Sequence, residues 1–302
     1  MTTDEPVAES AAEPVAEPVA EPVAEAGKSG GDSPLRAFFG LFVVPLLVVL
    51  ACVAVFVGFG WIAYDRQTTD DYLDDLRSAW KPRRAQAAYE LSKILIADPG
   101  ALDDEPGARE EMRALFQEIE DVSIRRYLAL ILGYTKDRES IPLLVQAVES
   151  GDSEMRIYAL WALGTIGDPS ARPPLLEALS DSDPGLRKTA AFALGEMGDP
   201  ESAEPLRRLL EDAVADVRWN AALALARLED RSAIPVLRRM LDRGLVGQVP
   251  DIRPEQQEEV MVGAVRALHA LDREGSLELF ERLASDDPSL KVRQAAIEAK
   301  GD

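Results

Sequence analysis

Two sets of charged residues recur in this chain at a fixed interval of 31 residues. The first set is Arg125, Arg156, Arg187 and Arg218, and the second set is Asp137, Asp168, Asp199 and Asp230. Small and apolar residues fill the positions between them. A regular period of this size is the signature of stacked structural repeats. It predicts a solenoid, a class of protein that buries one face between neighbouring repeats and holds partners on another.

Each repeat has the pattern of a helical hairpin, which is clearest over residues 183–211. Asp183 and Pro184 are suited to the N-cap and first position of a helix. Apolar residues then share one helical face, at Leu186, Ala190, Ala193 and Leu194. Asp199 and Pro200 turn the chain into a second helix over residues 203–210. The predicted fold is therefore all-α: an α-solenoid of about six hairpins over residues 83–302.

Small residues recur at two further positions of the repeat. Alanines follow each repeat arginine by three and six residues, as at Ala190 and Ala193 after Arg187. Small side chains at these positions predict that the first helices of neighbouring repeats lie close together. Gly195 and Gly198 are interpreted as residues that loosen the end of the first helix.

The residues that carry this pattern, V/L-R-x-x-A-x-x-A-L-G-x-x-G-D-P, resemble HEAT repeats, specifically the short bacterial type named after phycobilisome lyases. The resemblance is strong over residues 121–242 and weaker over 83–120 and 257–302. It implies a helical-repeat scaffold that binds proteins. Two departures stand out: an insertion over residues 242–254, and Met261 in place of the repeat arginine that should follow it.

The N-terminal part of the chain differs from the repeats in composition. Residues 1–36 contain recurring Glu-Pro-Val-Ala tetrads, which predict a disordered acidic tail, with a docking segment as the alternative. Residues 37–64 carry no charge and are long enough to predict one transmembrane helix. A lipoprotein processing site ending at Cys52 is the alternative for this segment. Residues 65–82 are predicted to connect it to the solenoid as a short helix.

This segment leads to an expectation about localisation. The protein is expected to be a single-pass membrane protein whose solenoid faces the extracytoplasmic side, although each flank offers two basic residues and the positive-inside count is tied. The membrane would be engaged through residues 37–64, and the partner protein would be membrane-associated.

Composition argues against several other functions. The 33 Lys and Arg residues are outnumbered by 54 Asp and Glu, so the formal net charge is −21. Nucleic acid is not an expected partner, because such binding depends on neutralising phosphates with excess basic residues. The single histidine, His269, has no adjacent acid and Cys52 is the only cysteine, so no metal site, cofactor or catalytic set is predicted.

The charged ladders and the aromatic residues each have two interpretations. The ladders are predicted to be structural, with the aspartates accepting bonds from backbone amides and from the ladder arginine of an adjacent repeat, as between Arg187 and Asp199; a ligand-binding stripe is the alternative. Trp161, Phe192 and Trp219 lie on the first helices. They are expected to belong mainly to the core, and partner binding is the alternative because Trp residues are frequent at interface hot spots.

These patterns predict a membrane-tethered, non-catalytic adaptor that presents an acidic helical-repeat surface to a protein partner. The alternative is an auxiliary lyase or chromophore-maturation factor, a function implied by the family resemblance alone.

Overall fold

A computed structural model describes residues 43–63, 68–150, 152–250 and 252–301. The predicted tail at residues 1–36 lies outside the described residues. The chain divides into two compact units, residues 1–66 and 67–302.

The described part of the first unit is one helix, α1 (Val44–Ala63). Its side chains are described as far as Val57, and large apolar residues such as Leu47 and Phe56 are exposed along it. No helix among the described residues is long and apolar enough to cross a membrane. The predicted single-pass membrane localisation is therefore wrong.

The second unit consists of helices joined by short turns. A short helix, α2 (Thr69–Leu76), comes before the repeats. The repeat helices follow as α3 (Lys81–Ala97), α4 (Ala108–Glu118), α5 (Val122–Tyr134), α6 (Ile141–Ser150), α7 (Ser153–Ile166), α8 (Arg172–Ala178), α9 (Pro184–Met197), α10 (Ala203–Arg208), α11 (Ala215–Arg227) and α12 (Ile234–Met240). The insertion forms α13 (Arg243–Val246), and α14 (Pro254–Asp286) and α15 (Leu290–Lys300) complete the unit.

The helix α14 contains a hairpin of its own. Asp272 within it has φ −154° and ψ 49°, which breaks the helix into two segments. The first segment packs against α11 and α15, and the second follows as its hairpin partner. Helical hairpins therefore run from α3/α4 through α5/α6, α7/α8, α9/α10 and α11/α12 to the two halves of α14. This arrangement confirms the predicted all-α repeat solenoid.

The first helices stack directly on one another, in the order α3, α5, α7, α9, α11, α14 and α15. Their shared core is built from fully buried small and aliphatic side chains, including Ala162, Leu163, Ala193 and Leu194. A Cβ added to Gly164 would lie 2.4 Å from the Cβ of Ala193, and one added to Gly195 would lie 2.7 Å from that of Ala224. The predicted close approach of the first helices is thus present, and glycine is required at its tightest points.

The position that Gly195 occupies corrects one part of the sequence interpretation. Gly195 is buried inside α9 and does not loosen its end. The helix ends at Gly198, whose φ of 68° is left-handed and typical of a C-cap glycine. Glu229 occupies the equivalent position one repeat later and also has a positive φ, of 58°. The repeat geometry therefore imposes this conformation even where the sequence does not supply glycine.

Candidate partner-binding groove and the charged ladders

The aspartate ladder lies in the turn between the two helices of each hairpin. In Asp168, Asp199 and Asp230 one carboxylate oxygen accepts the backbone N–H two residues further on, as from Ser170 to Asp168 at 3.0 Å and from Glu201 to Asp199 at 3.1 Å. The other oxygen faces an arginine of the preceding repeat, as in the Arg172–Asp199 pair, where Nη1 lies 2.6 Å from Oδ2. Asp137 accepts no backbone N–H bond of this kind. The arginines that contact Asp137, Asp168 and Asp230 are Arg113, Arg138 and Arg207 respectively.

The arginine ladder lies on the first helices and has different partners. Arg187 donates two hydrogen bonds to the Asp212 carboxylate, at 2.8 and 3.0 Å, and a third to the Asp181 carbonyl at 2.8 Å. Arg156 likewise bonds the Asp181 carboxylate at 2.6 Å. Arg187 therefore joins the N-terminus of its own helix, α9, to the N-terminus of α11. Arg156, whose Nε donates to the Val148 carbonyl at 2.9 Å, joins the end of α6 to the N-terminus of α9.

The two ends of the arginine ladder make other contacts. Arg218 donates to the carbonyls of Asp212 and Ala213, at 2.6 and 3.0 Å. Arg125 lies over the Phe116 ring, 4.9 Å from its centroid. Among the residues that the structure describes, no hydrogen bond or ion pair joins a ladder arginine to a ladder aspartate, so the two ladders are not partners of each other.

Titration of the aspartates reflects these contacts. The hydrogen bond from Arg187 is the main cause that lowers the pKa of Asp212 below its ordinary value. The pKa of Asp181 is also lowered, chiefly by the backbone N–H of Asp183 and then by Arg156. Hydrogen bonds to the charged form stabilise it, so both carboxylates are held ionised as parts of the inter-repeat contact.

The structure adds members to the arginine ladder that the sequence analysis missed. Arg84 donates to the Ser78 carbonyl and Arg293 to the Asp287 carbonyl, in each case six residues earlier in the chain. Arg187 and Arg218 make the same six-residue contact. That local offset is the signal that could have identified them, because the 31-residue period does not hold at either end of the chain.

Where Met261 replaces the repeat arginine, the insertion supplies the missing contact. Arg243 on α13 donates to the Asp287 carboxylate at 2.7 and 3.3 Å. The Asp287 side chain is only 4% exposed. Asp287 occupies the position that Asp212 and Asp181 hold in the regular repeats. The insertion therefore replaces the ladder bond that the repeat sequence has lost.

The aromatic residues of the first helices divide into two groups. Trp161 is half-buried and packs edge-on against Tyr134, with ring centroids 4.8 Å apart. Phe192 is also half-buried, and the guanidinium of Arg227 lies over its ring at 5.6 Å. Trp219 differs: its side chain is mostly buried but forms part of a cavity wall beside the insertion.

This cavity, which we name the insertion groove, has a volume of about 820 Å³. Apolar side chains of α11, the insertion and α14 line it, namely Val214, Trp219, Leu223, Leu245, Ile252 and Val260. Val214 and Leu245 are exposed by 37% and 47%. Clefts of this size with apolar walls are typical of binding sites.

The polar residues at the groove are mostly held by local contacts. Arg218 bonds the backbone carbonyls described above, and Asn220 donates to the Asp216 carbonyl at 2.8 Å. The Gln256 side chain accepts from Arg253. These local bonds fix the polar side chains of Arg218, Asn220 and Gln256 at the groove walls. The arrangement is suited to holding an apolar side chain.

His269, in the first segment of α14, occupies the repeat position that Gly164 and Gly195 hold in the regular repeats. Its Nδ1 lies 2.9 Å from the Ala299 carbonyl of α15. Among the described residues, no three His, Cys, Asp or Glu side chains are grouped so that they could hold a metal ion.

Comparison with known proteins agrees with this architecture. Residues 112–184 and 172–249 match the HEAT repeats family. No curated protein matches the sequence.

Solved structures that are similar to this chain include three of differing similarity. The complex of CpcE and CpcF of phycocyanin lyase from Nostoc sp. PCC7120 is 19% identical with a TM-score of 0.51, covering 78% of this chain and 94% of that one. A designed armadillo repeat protein in complex with the peptide (KR)4 is 18% identical with a TM-score of 0.44, and the match covers 78% of this chain and 100% of that one. Human deoxyhypusine hydroxylase is 23% identical with a TM-score of 0.31, and the match covers 76% of this chain and 94% of that one. At these identities the first similarity shows the shared fold alone.

Proposed function

We propose that this protein is a non-catalytic scaffold that binds a protein partner in the insertion groove. The observation that carries this proposal is the groove itself: an apolar cavity with one wall formed by the insertion, at the place where the regular repeat is interrupted. A surface that serves only stacking would continue the repeat without this opening.

The expected occupant is a large apolar side chain of a partner peptide. The walls are mainly apolar and the exposed residues Val214 and Leu245 stand at the groove. Burying apolar surface of the partner there contributes about 25 cal/mol per Å² before the costs of association. Trp219 is the candidate hot-spot residue in this arrangement, because aromatic residues in well-packed pockets dominate interface energetics.

The other predicted site residues have structural roles in this proposal. The charged ladders hold neighbouring repeats at a fixed angle, since their hydrogen-bonding groups are directed at helix entries and turns. Trp161 and Phe192 are largely occupied by Tyr134 and Arg227. They contribute to packing between first helices, and the proposed function does not require them to bind a partner.

Selection from a peptide-display library tests the proposal with the full-length protein. Val214→Glu combined with Leu245→Glu places two carboxylates at the groove, at positions exposed enough to leave the fold unchanged. We expect selected peptides to bind this variant at least about tenfold more weakly, because each peptide would bury an unpaired charge.

Ile96→Glu is the matched control, since Ile96 is 55% exposed on α3 in the first repeat and does not line the groove. The control is expected to bind the peptides as the wild type does. Equal binding by the groove variant, the control and the wild type would contradict the proposal.

A further inference from the structure

Four arginines stand apart from all others that the structure describes, because their guanidinium groups make no hydrogen bond, ion pair or ring contact. They are Arg208, Arg239, Arg266 and Arg282. All four are exposed. In a chain with 54 acidic residues and a net charge of −21, unpaired arginines are the exception.

Three of these four occupy the same position in consecutive repeats. Arg208, Arg239 and Arg282 lie on the second helix of their hairpins, each two residues after a fully buried core residue. Those core residues are Leu206, Leu237 and Phe280. The equivalent side chains therefore point in the same direction from the stack. We name these three residues the arginine row.

The neighbouring arginines show that position decides this difference. Arg207 bonds Asp230 at 2.8 Å and Arg238 bonds Asp272 at 2.9 Å. Each precedes a row arginine by one residue and turns towards the next repeat. A side chain one residue further along the helix is rotated by about 100°. The row arginines thus face away from the inter-repeat contact that holds their neighbours.

The row stops abruptly at the middle of the solenoid. The equivalent residue of the preceding repeat is Glu177, which is exposed and has the opposite charge. Acidic residues one helical turn from the row, such as Glu204 and Glu278, reduce the local positive potential. Glu204 is already held by Arg207 at 2.9 Å. Glu211, Asp242 and Asp286 also lie within one helical turn of the row. The row is therefore a set of three unpaired guanidinium groups with a defined end, among acidic side chains.

The spacing of the row restricts what can bind to it. Packed helices lie about 8–10 Å apart, and an extended chain advances about 3.3 Å per residue. An extended segment crossing the second helices would place every third residue opposite a row arginine. Carboxylates suit this arrangement, because the guanidinium can bind them with two parallel hydrogen bonds.

We propose that the arginine row binds an extended, acidic protein segment with Asp or Glu at about every third residue. The charge reversal at Glu177 fixes where such a segment ends, since an acidic residue placed there would be repelled. This surface is on the second helices and is separate from the insertion groove. The inference goes beyond the proposed function and does not depend on it.

Fluorescence anisotropy of a labelled peptide, (Glu-Ser-Ser)4, with the full-length protein tests the inference. Arg208→Gln, Arg239→Gln and Arg282→Gln together are expected to weaken binding by about tenfold, since three exposed charge pairs are lost. Raising the salt concentration should weaken binding of the wild type in the same direction.

Arg266→Gln is the matched control, because Arg266 is the fourth unpaired arginine but lies on the first segment of α14. This control should bind the peptide as the wild type does, and so should the groove variant Val214→Glu/Leu245→Glu. Equal binding by the wild type and the triple variant, or binding to anionic phosphatidylserine vesicles in place of the peptide, would overturn the inference. Failure of the groove proposal would leave this result unaffected.

Discussion

The regular repeats over residues 121–242 and the interrupted part after residue 242 solve the same stacking problem in different ways. In the regular part, Gly164 and Gly195 bring first helices into close contact, and Arg187 bonds Asp212 across the repeat boundary. In the interrupted part, His269 stands where the glycine would be, and Arg243 of the insertion bonds Asp287. The ladder bond is restored there by a residue outside the repeat pattern.

This difference shows which contacts the stack requires. The bond to an aspartate at the next helix entry is kept in both parts, whereas the close glycine contact is not. The interrupted part also supplies the walls of the insertion groove that the insertion and α14 form, and one of the three residues of the arginine row, Arg282. The insertion groove therefore arises where the period is broken, whereas the arginine row extends from the regular part into the interrupted part.

The largest expected effect comes from filling the closest helix contact. Gly164→Ala would place a methyl group 2.4 Å from the Ala193 Cβ and 2.9 Å from the Ala193 carbonyl oxygen. We expect a loss of about 1–3 kcal/mol in the free energy of unfolding, because both neighbours are backbone-linked and cannot move aside. Urea denaturation followed by circular dichroism measures this loss in the free energy of unfolding.

Gly263→Ala is the control from the interrupted part. Gly263 also lies inside a helix, but an added Cβ would meet only Leu223 side-chain atoms at 3.7 and 3.8 Å. It is expected to be neutral or stabilising by up to about 1 kcal/mol, since alanine favours helix. Similar losses for both substitutions would mean that the two parts do not differ in helix spacing.

The ladder pair of the regular part is the next test. The Arg187 and Asp212 side chains are 16% and 9% exposed, so Arg187→Ala leaves a largely buried carboxylate without its main donor. The expected loss is about 1–3 kcal/mol in the free energy of unfolding. A double-mutant cycle should show coupling of Arg187 to Asp212 and none to Asp199, since coupling requires contact. Coupling to Asp199 would contradict the observed pairing.

The insertion provides the corresponding test in the interrupted part. Arg243→Ala is expected to cost about 1–2 kcal/mol. This is somewhat less than Arg187→Ala, because the Arg243 side chain is 31% exposed and that of Arg187 only 16%. Arg253→Ala is the control, since Arg253 lies in the same insertion but contacts only Gln256. If Arg253→Ala lowered the free energy of unfolding as much as Arg243→Ala, the bond from Arg243 to Asp287 would not be what stabilises this part of the stack. Thermal melting compares the two.

A smaller effect is expected from acid. The pKa of Asp212 is lowered in the folded protein, so its contribution to stability is present above the pKa of the unfolded state. That contribution is lost as the pH falls through about 4 and below. Asp212→Asn should therefore show a weaker decline in melting temperature between pH 6 and pH 3 than the wild type. An identical decline would assign the acid sensitivity to other groups.

The sequence predicted the fold because equivalent contacts recur with the period. The alanines at Ala162 and Ala193 identified the close helix contact, and the ladders located the turns and helix entries. Gly195 was interpreted as a helix end because the repeat motif does not distinguish a glycine needed for close approach from one needed for a turn.

The partners of the ladders could not be predicted from the period alone. Asp212 lies beside Arg187 only because of the stacking angle between α9 and α11, which the linear pattern does not contain. The insertion groove and the substitution of Arg243 for the missing ladder arginine lie outside the period altogether. The arginine row could not be predicted for another reason: a sequence does not show which arginines form hydrogen bonds or ion pairs.

Amide hydrogen exchange of the full-length protein, with and without a peptide selected as described above, tests the central claim most directly. The account predicts that the peptide slows exchange in residues 213–224 and 245–260, which form the insertion groove. It predicts no change in residues 125–200, where the repeats serve stacking. Protection confined to residues 125–200, or spread equally over both parts, would contradict the account.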